Sequence, residues 1–167
     1  MSDLRLATAE DLPALKALVE SAYRGDAARG GWTHEADLLE GERITAEDLA
    51  AQLADPAMRI LVLPGEDGLI ATISITDLGD SGAYLGMFAV DPAHQAGGIG
   101  RQMIAGAESW AARDFHAHTM RMTVISARGE LIAWYIRRGY VDTGRISPFP
   151  VPGITHLSMV VLEKPIG

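Results

Sequence analysis

The chain has no cysteine in its 167 residues. This excludes disulfides, thiolate metal sites and a cysteine nucleophile. It also lacks any apolar run approaching the ~20 residues needed to cross a bilayer. The first residues, Met1-Ser2-Asp3-Leu4-Arg5, show no basic region followed by an apolar core, which predicts no signal peptide and a cytoplasmic location. Positive charge is in deficit, with 14 Lys and Arg against 22 acids and a net charge of −8. Nucleic acid is therefore excluded as the main partner, since a phosphate backbone calls for a basic surface. The acidic balance suits a cationic acceptor such as an amine, and it equally suits plain solubility. Internal repeats and low-complexity segments are also missing.

Hydrophobic residues make up 48% of the chain and charged residues 22%, the balance of a globular domain. The length predicts a single domain over 1–167 with a substantial core. The pattern begins with a short strand around Leu4-Arg5-Leu6. A helix capped at Thr8 follows, with Pro13 in its first turn and Leu12, Leu15, Val19 and Ala22 along one stripe. Gly25 to Arg43 reads as a loop with room for a short helix. A second helix starts at Thr45-Ala46-Glu47-Asp48 and ends at Asp55-Pro56. Strands are expected over Met58–Leu63 and Leu69–Thr76, joined as a hairpin, and over Ala83–Val90. The last of these is apolar on both faces, as a covered central strand is. Gly86 inside it points to a bulge or a close ligand approach. A third helix runs to about Asp114, then a strand over Thr119–Ser126. A fourth helix, carrying Leu131, Trp134, Tyr135 and Arg138, stops at Gly139. Strands starting at Tyr140-Val141 and spanning His156–Leu162 complete the order. Pro148-Phe149-Pro150-Val151-Pro152 reads as a stiff loop.

The most informative segment is His94-Gln95-Ala96-Gly97-Gly98-Ile99-Gly100-Arg101, a glycine-rich turn between the central strand and the third helix. Three glycines in four residues let a ligand approach the main chain. A helix start offers unpaired N–H groups and partial positive charge, which suit a phosphate. Arg101 in that first turn is electrostatically misplaced unless an anion sits there too. A P-loop is excluded because Arg101-Gln102 stands where Lys and Ser or Thr are needed. A dinucleotide fingerprint is excluded because Met103 stands at its third glycine. The spacing that fits is Q-x-x-G-x-G, on Gln95, Gly98 and Gly100; a mere strand-to-helix turn is the competing reading. Downstream, Tyr135, three residues, then Gly139-Tyr140 form a second pattern at the end of the fourth helix.

With these two patterns in this order and separation, the chain resembles the GNAT family of acetyl-CoA-dependent N-acetyltransferases over nearly its whole length. The resemblance implies an α/β (α+β) fold. Its mixed, mostly antiparallel central sheet would have six to seven strands, splayed at the central strands and flanked by about four helices. It implies acetyl-CoA as co-substrate, no metal, and direct transfer to a primary amine of a small molecule; a protein or peptide acceptor and a non-catalytic acyl-CoA-binding module are the alternatives. Tyr135 would be the general acid that protonates the CoA sulfur. Backbone N–H groups at Phe88 and Val90, flanking Ala89, would hold the pantetheine amide and polarise the acetyl carbonyl. Those of Gln95, Ala96, Gly97, Gly98, Ile99, Gly100 and Arg101 would take the pyrophosphate. Arg137 or Arg138 would reach the CoA phosphates, although a solvated basic helix end also accounts for them; Trp134 and Arg128 are further cofactor-binding candidates. Many members carry Asn seven residues before the tyrosine; here Arg128 stands in that place. A homodimer is the family's frequent state.

Acceptor choice is expected from the segment around Trp32 and from the loop carrying Phe149, since loops on a rigid scaffold usually carry specificity. Trp32 is either a wall for a substrate or an anchor for its loop. Glu35 and Asp37 are candidate bases, with water as the alternative. His116 and His118 have metal-like spacing without an evident third ligand. His34 and His156 are further candidates for a pocket wall.

Overall fold

In the computed structural model, residues 4–29, 45–66, 68–94, 98–148 and 158–167 are described. Among them are seven strands and four α-helices: β1 (Arg5–Leu6), α1 (Leu12–Arg29), α2 (Ala46–Ala54), β2 (Met58–Gly65), β3 (Gly68–Asp77), β4 (Ala83–Val90), α3 (Ile99–Asp114), β5 (Thr119–Ile125), α4 (Gly129–Arg137), β6 (Val141–Pro148) and β7 (Ser158–Pro165). No helix among the described residues is long and apolar enough to cross a membrane.

The strands form one sheet in the order β1-β2-β3-β4-β5-β7-β6. Every neighbouring pair is antiparallel except β4 with β5. This is the mixed, mostly antiparallel sheet expected. The helices cover both faces. On one, Met103, Ile104, Ala107 and Ala111 of α3 and Tyr135 of α4 bury against Leu61, Ile73, Leu85, Met122 and Leu162. On the other, Leu15 of α1 and Leu49 of α2 pack with Ile60 and Val62, and Leu18 and Val19 pack with Ala89.

Local chemistry explains the helix starts. Thr45 accepts from the Asp48 N–H at 3.0 Å while Asp48 accepts from the Thr45 N–H at 3.3 Å, so two orphan donors are satisfied reciprocally. Asp11 accepts from the Thr8 N–H at 2.7 Å and is held by both terminal nitrogens of Arg5. Thr8 thus caps a 3₁₀ turn, Ala9–Asp11, that leads into α1.

Two boundaries differ from the sequence reading. Gly25 does not open a loop, because α1 continues to Arg29; Ala27, Ala28 and Arg29 are strong helix formers and outweigh one glycine. The last strand runs on to Pro165 because Glu163, Lys164 and Pro165 pair with Arg121, Met120 and Thr119 of β5.

The sheet divides at its centre. β4 and β5 pair only at Ala83 with Met120 and at Tyr84 with Arg121, after which β5 pairs along its length with β7 alone. β4 also carries an extra residue against β3: Thr72 pairs with Ala89 and Ser74 with Gly86. Ile73 therefore faces both Met87 and Phe88. Met87 takes the left-handed φ of 43° at this bulge, which re-aims the strand beyond it.

Candidate functional site

The open side of the split lies at the C-terminal ends of β4 and β5, next to the start of α3. The Asp91 N–H donates to the Ile70 carbonyl at 2.8 Å, so in the alternation of an antiparallel ladder Thr72 and Ala89 form the next bonded pair. Phe88 and Val90 flank this pair, and their side chains pack against the core under α3. Ala89 is turned the other way: its side chain is buried with Leu18 and Val19 of α1, and its main chain belongs to the β3 ladder.

Gly98 is the N-cap of α3, with the left-handed φ of 83° that favours glycine, and no side chain caps the helix. No acid occupies the first turn, so the initial N–H groups of α3 are left to an external acceptor. Arg101 folds back toward this start: a Cβ on Gly98 would stand 3.3 Å from its Nη2. Among the described residues no ion pair involves Arg101, Arg128, Arg137 or Arg138. Arg101 and, across the indole of Trp134, Arg138 thus lie near the initial donors of α3.

Three elements converge on the indole of Trp134 in α4. Phe88 of β4 lies 6.3 Å away between ring centroids. The guanidinium of Arg138 sits 4.9 Å over the ring, a cation–π distance. A Cβ on Gly100 would come within 3.1 Å of Cζ2. Tyr135, the neighbour of Trp134, is 6% exposed and meets Trp134 edge-on at 5.2 Å and Tyr140 at 6.1 Å. The proposed acid and the glycine-rich helix start are therefore separated by one indole.

Tyr140 continues this aromatic row into a polar network. Its hydroxyl donates to Glu108 Oε2 at 3.0 Å, and Lys164 Nζ donates to the same carboxylate at 2.9 and 3.1 Å. Burial, together with the Glu108 carboxylate, holds the Tyr140 phenol well above its usual range. The motif that includes Tyr140 does not reveal Glu108 or Lys164 as its partners, because the three lie on α3, at the start of β6 and on β7. Tyr84 was equally invisible: its hydroxyl meets Thr123 Oγ1 at 2.7 Å across the β4–β5 split.

Arg128 is the N-cap of α4 and is half-buried. Its carbonyl accepts from Ile132 at 3.0 Å, and its side chain makes no capping bond. Gln95, Ala96, Gly97, Trp32, His34, Glu35, Asp37, Phe149 and His156 lie outside the described residues. His116 and His118 are exposed, and among the described residues no three His, Cys, Asp or Glu side chains come together as a metal site would require.

Residues 28–163 match the family model of the acetyltransferase (GNAT) domain. No curated protein sequence matches the chain. Among solved structures, the chain is similar to the PaiA N-acetyltransferase from Thermoplasma acidophilum in complex with coenzyme A, at 19% identity and a TM-score of 0.78 over 99% of each chain. It is also similar to the ribosomal-protein-S18-alanine N-acetyltransferase from Escherichia coli, at 18% identity and a TM-score of 0.75 over 100% of this chain and 95% of that one. A third is a spermidine N-acetyltransferase chimera from Vibrio cholerae and hSSAT, at 16% identity and a TM-score of 0.72 over 98% and 95%. These likenesses concern the fold.

Proposed function

The chain belongs to the GNAT acetyltransferase family, and we propose that it moves an acetyl group from acetyl-CoA to the primary amine of a small molecule by direct attack in a ternary complex. One observation carries this reading. The uncapped start of α3 and Phe88 near the open end of β4 both meet Trp134, whose neighbour on α4 is Tyr135.

The residues present fit acetyl-CoA. The first-turn N–H groups of α3 and the Arg101 guanidinium suit a pyrophosphate. Trp134 and Arg138 flank the path from there to Tyr135, and Gln95, Ala96 and Gly97 precede Gly98 in the same loop. When bound, acetyl-CoA supplies an acyl thioester already activated toward an amine. A backbone N–H at the open end of β4, that of Phe88, would polarise the carbonyl and stabilise negative charge on its oxygen. Tyr135 would give its phenolic proton to the departing sulfur, while the proton lost by the attacking amine would pass to water or to Glu35 or Asp37 and solvent would return one to the phenolate. A chain without cysteine carries no thiol for a thioester-linked enzyme, which supports direct transfer.

The small-amine acceptor is supported by the net charge of −8, which favours a cationic partner over a polyanionic one. Trp32, Glu35 and Phe149 are proposed to shape its site. The test is a thiol-release screen with acetyl-CoA over primary amines, amino acids and peptides. Turnover of a small amine supports the reading. Turnover of peptides alone reassigns the acceptor, and CoA binding without thiol release from any of them leaves a binding module.

A further inference from the structure

Among the described residues, one side-chain hydrogen bond crosses the split near its apex, that of Tyr84 with Thr123. We propose that the hydrogen bond between Tyr84 and Thr123 pins the β4–β5 split and so sets the width of the cleft that CoA enters. The second half of this inference rests on the acetyl-CoA reading above.

The argument begins with the backbone. β1 to β4 form one continuous antiparallel half-sheet, and β5, β7 and β6 form another. The second half is further braced where Arg121 and Arg145 both donate to Glu163 Oε2. Between the halves there are only two backbone pairs, the last being Tyr84 with Arg121. The closed end is tight: a Cβ on Gly82 would stand 2.4 Å from the Thr119 carbonyl oxygen. Beyond Tyr84 the halves diverge.

The Tyr84 hydroxyl does not stop at its backbone partner. It reaches Thr123, two residues further along β5, which is about 6–7 Å past the last backbone pair. The phenol ring therefore spans the vertex of the split. Ala83, Leu85, Met120, Met122 and Val124 all face the core under α3, so the alternation of a strand puts Tyr84 and Thr123 on the opposite face. On the α3 face the halves share a packed core, which resists separation without fixing an angle. On the α1 face the directional 2.7 Å contact is the side-chain tie that the described residues provide across the gap. Gly86 lies beside the ring, where a Cβ would stand in ordinary contact with Tyr84 Cε2 at 3.6 Å. Tyr84 and Thr123 are positioning residues: they act on CoA through the spacing of the C-terminal end of β4 from β5.

The absence of cysteine makes a direct distance measurement available. Ala93→Cys and Ala127→Cys place one spin label beyond the C-terminal end of each strand, at exposed positions. In this labelled protein Thr123→Val removes the hydroxyl at nearly constant volume, Thr123→Ser retains it, and Tyr84→Phe removes the partner. Pulsed EPR is expected to give a narrow distribution in the parent and the Ser variant, and a broader, longer one in the Val and Phe variants. Calorimetry with CoA is expected to show a three- to tenfold weaker Kd in the Val and Phe variants and near-parent affinity in the Ser variant. The proposal is overturned if the Val and Phe distributions stay narrow, if Ser broadens as much as Val, or if the distribution broadens while CoA affinity is unchanged. Should the Val variant fail to fold, Tyr84→Phe decides from the other side of the bond. A parent that binds no CoA would sink the acetyl-CoA reading, and the EPR distances would still decide whether the pair holds the split.

Discussion

Gly100 and Trp134 occupy each other's space. The indole Cζ2 stands 3.1 Å from the point a Cβ on Gly100 would take, with Phe88 Cζ at 3.7 Å. The first turn of α3 and the helix carrying Tyr135 can be this close only because position 100 has no side chain. The glycine serves packing as well as access to the main chain, so a substitution there is not confined to ligand binding.

Gly100→Val should push the indole off both Phe88 and Arg138. CoA affinity measured by calorimetry should fall at least tenfold, together with a lower melting temperature. Gly98→Ala separates the two effects. It adds only a Cβ, but at a φ of 83°, which costs roughly 1–2 kcal/mol of stability. If Gly100→Val bound CoA as the parent does, the loop would be a turn and nothing more.

Tyr135→Phe should lower turnover by about two orders of magnitude, the usual scale for losing a positioned acid. CoA affinity should stay within a few-fold, since the ring still packs between Trp134 and Tyr140. Steady-state kinetics beside calorimetry checks this. Equal turnover in both proteins would remove Tyr135 from the acid's role.

Tyr140→Phe should cost about 1 kcal/mol of unfolding free energy, the net worth of one hydrogen bond. Glu108 retains Lys164 as its partner. Glu108→Ala should cost more, because it leaves the Tyr140 hydroxyl, on a residue 1% exposed, with no acceptor and Lys164 with no counter-charge. Urea unfolding of both variants gives the comparison, and a larger loss from Tyr140→Phe would contradict it.

The Asp11 carboxyl is lowered to about 2, chiefly by its hydrogen bonds from Arg5. A group whose folded pKa lies below its unfolded value stabilises the fold above that unfolded value and loses its contribution as pH falls through the folded one. Asp11 should therefore contribute fully above about pH 4 and progressively less toward pH 2. In Asp11→Asn the urea midpoint should be lower at neutral pH, and its gap to the parent should close across that window. A gap independent of pH would assign the loss to the Thr8 cap alone.

Much of this molecule was legible in local signals. β4 runs over Ala83–Val90 as its two-sided apolar pattern indicated, and Thr45 caps α2 as its spacing with Asp48 did. Gly86 marked the bulge, though the extra residue and the strained φ belong to its neighbour Met87. The patterns on Gln95, Gly98 and Gly100 and on Tyr135, Gly139 and Tyr140 were readable because a tight turn into a helix and a helix ending demand particular residues at fixed spacing. Gly25 misled, since a single glycine signals a break only where its neighbours disfavour helix.

What the sequence determined by itself is the order of elements, the cysteine-free chemistry and the family, each of which depends on residues close together in the chain. The tertiary structure decided the rest. Tyr84 meets Thr123 across 39 positions, Tyr140 meets Glu108 across 32, and Lys164 meets Glu108 across 56. Such contacts follow from strand order and from the angle at which two half-sheets diverge, and neither leaves a period or a motif in the chain. That Gly100 is filled by an indole from the helix of Tyr135 is likewise a fact of packing: close-packed interiors choose partners by shape.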